Sequence, residues 1–201
     1  MKQIYSIFLL FSLFMWNGCA SKQSRPITLY TLHMKEIPQT TAHSRLQTKT
    51  IQIQLPKSTK EIRGKKIWYA KNPLERNSYL YSRWSDTPNR LIARYLQNYL
   101  NYTHTYKAVI DENSLAKPDY ILESNLEDFY QLFESEKNAY GILKMHFFLI
   151  DAQNEKIIDT FSVNLKIPSP SPDAKGGVVA LHTATRRSAE TLLQWLQNSR
   201  K

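Results

Sequence analysis

The sequence predicts one compact α/β domain behind an N-terminal secretion signal. Several segments alternate apolar and polar residues as strands do, and two others repeat apolar residues at helical spacing. A third observation is an apolar stretch near the start that ends at the chain's one cysteine. The 201 residues suit a single domain once that stretch is set aside, and 42% hydrophobic with 22% charged residues excludes a disordered chain. Twelve Tyr, eight Phe and four Trp are enough large side chains to fill a core.

Met1-Lys2-Gln3 is followed by an apolar run from Ile4 to Trp16. As a helix this run would be about 20 Å long, short of the ~30 Å hydrocarbon core, so a cleaved signal is expected over a permanent span. Cys19 has no second cysteine to pair with. Gly18-Cys19 resembles the bacterial lipobox: a diacylglyceryl group joins the thiol, the preceding peptide is cut, and the new amine is acylated. Trp16 stands where a lipobox usually carries Leu, with Asn17 next. The alternative is a leftover thiol beside a simple cleavage site. Two or three acyl chains anchor stably where one would be marginal. Ala20 occupies the place where Asp commonly retains lipoproteins in the inner membrane. The expected location is therefore the periplasmic face of the outer membrane. The expected division is a signal peptide over 1–18, a lipidated tether over 19–26 and the domain over 27–201.

Ile27 to Leu32 is rich in β-branched and aromatic residues and predicts a strand. Residues 35–48 show no periodicity and read as loop. Lys49 to Leu55 alternates, with Ile51, Ile53 and Leu55 on one face, and predicts a half-buried strand that Pro56 stops. Lys65 to Ala70 and Ser78 to Arg83 are short aromatic segments that pair as a hairpin. A helix follows from Thr87, with Pro88 in its first turn and a stripe of Leu91, Ile92, Tyr95, Leu96, Tyr99 and Leu100. Tyr102 to Ile110 returns to strand character. Three long strands come next, Asp119 to Tyr130, Tyr140 to Ile150 and Lys156 to Ile167. A polar turn from Asp151 to Glu155 joins the last two as antiparallel partners, and an acidic connection spans 131–138. After the proline-rich stretch 168–173, a closing helix runs from about Lys175 to Ser199. Its stripe is Leu181, Ala184, Ser188, Leu192 and Trp195, and Gly176-Gly177 lets its start pack close to the sheet or adjusts its first turn.

The formal net charge is +10, unevenly spread. Basic residues dominate between Lys57 and Arg90, and acidic ones between Asp111 and Glu136. Anionic headgroups or an acidic protein surface suit the basic block, a solvated face is the plain alternative, and nucleic acid is not an expected partner. His33, His43, His104, His146 and His182 show no metal-ligand spacing, and no glycine-rich phosphate loop or nucleophile elbow occurs. Glu134 and Glu136 read as a solvated loop, not an acid–base pair, and His146 as a sheet-face histidine. No catalytic residue, metal or cofactor is expected beyond the acyl chains on Cys19. Trp68, Tyr69, Tyr79, Tyr81 and Trp84, interleaved with Arg76 and Arg83, have the composition of a partner interface, the alternative being ordinary sheet and core aromatics.

The order of these segments resembles the ABC-type transport auxiliary lipoproteins that accompany MCE lipid transporters. The resemblance rests on a Tyr30-bearing first strand, a second strand closed by Leu55-Pro56, and a basic stretch leading into Ile67-Trp68-Tyr69. It continues through Tyr81-Ser82-Arg83-Trp84 before the Pro88 helix, Asp119-Tyr120 and Asp128-Phe129 on one strand, the hairpin at 151–155, and the closing helix from Val178 through Trp195. It implies a mixed, mainly antiparallel sheet with two main helices packed on it. It also implies a non-catalytic role beside an MCE-family protein and an ABC permease and ATPase, with a homo-oligomer among the allowed arrangements. A structural or assembly lipoprotein of the envelope is the competing reading, and a periplasmic hydrolase a distant third.

Overall fold

The computed structural model describes residues 25–34, 45–72 and 74–199. The expected signal peptide, Cys19 and most of the expected tether lie outside them. The described chain runs β1 (Thr28–Tyr30), a 3-10 turn (Arg45–Thr48), β2 (Thr50–Ile53), β3 (Lys57–Ser58), β4 (Lys66–Ala70) and β5 (Asn77–Trp84). Then come α1 (Pro88–Tyr102), β6 (Ala108–Asp111), β7 (Tyr120–Phe133), β8 (Ala139–Asp151), β9 (Lys156–Pro168) and α2 (Ala174–Asn198).

One sheet holds all nine described strands, and β7 is its spine. Along one edge β7 pairs antiparallel with β8, and β8 pairs antiparallel with β9. Along its other edge β7 takes three short strands in succession, all parallel: β2 at residues 120–122, β3 at 125–126 and β4 at 131–132. The sheet then forks. β4 continues antiparallel to β5 and on to a parallel β1, whereas β2 continues to a parallel β6. The sheet is therefore mixed, and the two long hairpin ladders make it mainly antiparallel.

The side-chain alternation of β8 explains where the core sits. Leu143, Met145, Phe147 and Leu149 are fully buried, whereas Ile142, Lys144, His146 and Phe148 are half-buried. Helix α2 packs on β7, β8 and β9, and α1 packs on α2 and β6. Every residue of the expected α1 stripe is buried. In α2 the stripe is buried through Leu192, and Trp195 is half-buried, its indole N–H donating to Asp159 at 2.9 Å.

Two strand expectations change. The strand expected from Tyr102 begins only at Ala108, because α1 runs on to Tyr102 and then turns sharply. Thr103 caps it, its hydroxyl donating to the Leu100 carbonyl at 2.9 Å, and His104 takes a positive φ of 49°. The strand expected to be half-buried at Lys49 to Leu55 is buried on both faces over Ile51, Gln52 and Ile53, because β6 and β7 flank it. Gln52 satisfies its amide by donating to the Asp111 carbonyl at 3.2 Å.

Helix α2 starts at Asp173, whose carboxylate accepts from the Gly176 N–H at 2.7 Å and from the Ser171 hydroxyl at 2.8 Å. Those bonds, the Gly176 one first, hold the Asp173 carboxyl below its ordinary range. The helix then lies unusually close to the sheet. A Cβ at Gly177 would stand 2.4 Å from the Gln131 side-chain oxygen, and one at Gly141 would stand 2.8 Å from the Leu181 backbone nitrogen. Gln131 is fully buried yet satisfied, accepting from the Tyr79 hydroxyl at 2.5 Å and donating to Ser169 at 3.2 Å. Burial raises the Tyr79 phenol's pKa, so it stays a donor.

Trp84, expected at an interface, belongs to the core. It is 1% exposed and its ring lies 5.4 Å from that of Phe129. Its β5 position points it inward beneath the helices, so Trp84→Ala is expected to cost about 3–5 kcal/mol in urea unfolding. Gly141→Ala, which meets helix backbone and not a yielding side chain, is expected to cost roughly 1–3 kcal/mol by the same measurement.

Candidate functional site

The face of the sheet turned away from the helices carries the molecule's polar organisation. Alternation puts Lys144 and His146 of β8 there, opposite Asp128 and Asn125 of β7 and beside Asn164 and Ser162 of β9. A register shift between Leu126 and Asp128 inserts Glu127 as an extra residue in β7. The bulge aims its carboxylate at two β8 side chains together, Lys144 at 2.7 Å and His146 Nε2 at 3.0 Å. The Lys144 bond lowers the Glu127 pKa, and Glu127 in turn raises that of Lys144.

The two charge blocks of the sequence meet on this face. Lys57 pairs with Glu123 at 3.1 Å, and Arg76 with Asp128 at 3.5 Å and Glu61 at 3.9 Å. The Arg76 guanidinium also lies 3.8 Å over the Tyr130 ring. Lys166 bonds Glu134 and sits 4.3 Å from the Tyr140 ring, so Glu134 is an ion-pair partner, and Glu136 is exposed. Within the basic block Lys57 and Arg76 are thus engaged by the domain's own carboxylates.

Of the seven residues expected at an interface, Tyr79 is held by Gln131, and the structure separates the other six into three groups. Trp84 is core, and Tyr69 is half-buried against Tyr79 and Phe133, at 4.8 and 5.7 Å between ring centres. Trp68 and Arg76 both reach the Glu61 segment, the indole donating to the Glu61 carbonyl at 3.2 Å. There a cleft of about 220 Å³ opens, lined by Glu61, Arg76, Glu127, Asp128 and Tyr130 among others. Tyr81 is 43% exposed on β5, and Arg83 lies alongside on the same strand, its guanidinium donating to the Tyr79 and Ser82 carbonyls. Sequence reasoning missed Glu127, Lys144 and Ser162, since only the β7–β8–β9 register brings them together.

The order Ser162, His146, Glu127 has the look of a nucleophile, a base and a carboxylate, with Ser162 Oγ 2.6 Å from His146 Nδ1. Its chemistry points elsewhere. Glu127 is already paired with Lys144, and the cleft that Glu127 lines includes neither His146 nor Ser162. A second cleft, of about 240 Å³, lies between α1 and the β2–β6 end and is lined by Arg90, Arg94, Asp111 and Glu112. Among the described residues no three His, Cys, Asp or Glu side chains converge to hold a metal ion, and no helix is long and apolar enough to cross a membrane. Glu127→Gln is expected to lower the Lys144 pKa toward the ordinary lysine value of about 10.4, read by NMR titration of the lysine side chains.

The comparisons with known proteins bear on the whole domain. No curated protein matches the sequence. Among solved structures, XCC0632 of Xanthomonas campestris, from family DUF330, aligns at a TM-score of 0.76 and 15% identity, over 86% of this chain and 96% of that one. A PelC dodecamer from Paraburkholderia phytofirmans aligns at 0.50 and 11% identity, over 79% and 93%. At such identities these likenesses establish the shared fold alone. A sequence model of the ABC-type transport auxiliary lipoprotein component matches residues 30–192, from the end of β1 to well into α2. By that match the chain belongs to the ABC-type transport auxiliary lipoprotein family.

Proposed function

We propose that this protein is a non-catalytic accessory lipoprotein of an MCE/ABC-type phospholipid transport system working between inner and outer membranes. The observation that carries the reading is the family match, which spans the domain and describes an auxiliary component of ABC-type transport. Acylation at Cys19 holds the domain on the periplasmic face of the outer membrane. Anchoring raises its effective concentration for a partner reaching across the periplasm, with no change in the contact itself. The Trp68–Arg76 rim and its acidic cleft supply the contact with the MCE-family protein, since aromatic and arginine side chains around a concavity suit a protein interface. A homo-oligomer fits the same reading, as PelC of the shared fold assembles as a dodecamer.

The test is recovery of the full chain, tagged at its C-terminus, from detergent-solubilised envelopes. Co-recovery of an MCE protein with a permease and an ATPase is expected, and Cys19→Ser should lose acyl labelling and leave the membrane fraction. Recovery of outer-membrane assembly or peptidoglycan-linked proteins, with no transporter subunit, would replace this reading with that of a structural lipoprotein.

A further inference from the structure

We infer that the open face of β1 and β5 is a membrane-docking surface that seats on an anionic phospholipid bilayer. The inference rests on the anchored reading of Cys19 and adds an orientation to it. Where β1 begins, the structure exposes apolar side chains that a soluble edge strand has no use for. Ile27 is 56% exposed, Leu29 65% and Tyr81 43%. The parallel pairing sets Leu29 beside Arg83, and the antiparallel pairing sets Lys66 on the other side of Arg83, so one row crosses three strands as Leu29, Arg83, Lys66. Tyr81 precedes Arg83 by two residues on the same face. The Arg25 guanidinium stands 5.8 Å from the Tyr81 ring, and the Lys66 ammonium 5.3 Å from the Trp68 ring. Apolar and aromatic bodies with cations above them are the composition of a side-chain layer that enters the headgroup region of a bilayer.

Chain length selects the bilayer as occupant. Six residues lead from Cys19 to Arg25, which spans at most about 20 Å fully extended. Of the strands that end the sheet, β1, β6 and β9, β1 is the one next to the anchor in the chain, and β6 closes the other branch from β7. The patch therefore stays within reach of the surface throughout, and a contact too weak to form from solution is populated once tethered. In contrast to Lys144 of β8, which is paired with Glu127 of β7, no acidic side chain of the described residues bonds Arg25, Lys66 or Arg83. Their charge, uncompensated by a carboxylate, attracts phosphate groups, with the Arg83 guanidinium itself held on the Tyr79 and Ser82 carbonyls. The domain would then stand with β1 and β5 down on the lipid and the Trp68–Arg76 rim at the border of the contact.

The experiment uses the acylated full-length protein in vesicles of phosphatidylethanolamine and phosphatidylglycerol that carry nitroxide-labelled lipid. Acylation consumes the chain's one cysteine, so Leu29→Cys and Leu115→Cys each place a single reactive thiol for a fluorescent label. Both native side chains are exposed, and Leu115 lies after β6 on the far branch. Loss of most of the emission at position 29, with emission at 115 unchanged, supports the inference. Equal, weak quenching at the two positions in protein that floats with the vesicles overturns it and leaves the anchor standing. A blue shift at 29 without nitroxide quenching also overturns it, because protein, not lipid, then covers the patch. Protein that fails to float overturns the anchored reading, and this inference with it.

Discussion

The domain depends on the length of β7. Fourteen residues of unbroken strand allow one edge to pair along its whole length with β8, while the other edge accepts β2, β3 and β4 end to end. Strands of two to five residues bury little and leave many backbone groups unpaired on their own. Docking on β7 supplies a partner for one edge of each, while β4 also pairs with β5 and β2 with β6. The two branches, β4–β5–β1 and β2–β6, are consequences of where along the spine each short strand docks.

The same spine brings the helices into register. Gln131 sits in β7 opposite Gly141 of β8, and α2 crosses this point with Gly177 against Gln131 and Leu181 against Gly141. Two glycines and one buried amide therefore fix the height of the helix over the sheet. The Tyr79–Gln131–Ser169 bonds tie β5 and the segment before α2 to that level. A partly satisfied amide there would be costly, which makes the three partners interdependent. On the far face, the bulge at Glu127 converts regular alternation into a carboxylate shared by Lys144 and His146. Exposed pairs of this kind contribute little stability. Their consequence is distributional: Lys144 is engaged by a carboxylate, whereas Arg25, Lys66 and Arg83, on the β1 branch, have no carboxylate partner among the described residues.

Legibility from sequence followed the range of the interactions. The helix stripes of α1 and α2, the three long strands and the hairpin of β4 and β5 were read correctly, because periodicity is a local property of the chain. Trp84 reads from sequence as either an interface or a core residue, because aromatic composition is the same in a core strand and a binding patch; only the tertiary packing decides which. Gln52 and Gln131 gave no sign of burial, since a polar side chain reads as exposed until a distant partner meets it. The charge blocks were visible, yet their mutual pairing was not, because Lys57 and Glu123 are 66 residues apart.

What the sequence by itself determined was a single α/β domain with its helices and long strands, all written in periodicity; the acylation expected at Cys19 is likewise read from a local motif alone. What only the tertiary structure decided was the parallel docking of β2, β3 and β4 on β7, the inward position of Trp84, the bulge that positions Glu127, and the outward row of Leu29, Arg83 and Lys66. The physical reason is strand register. It is set by long-range backbone pairing and core packing, and a shift of one residue would send each of these side chains to the other face.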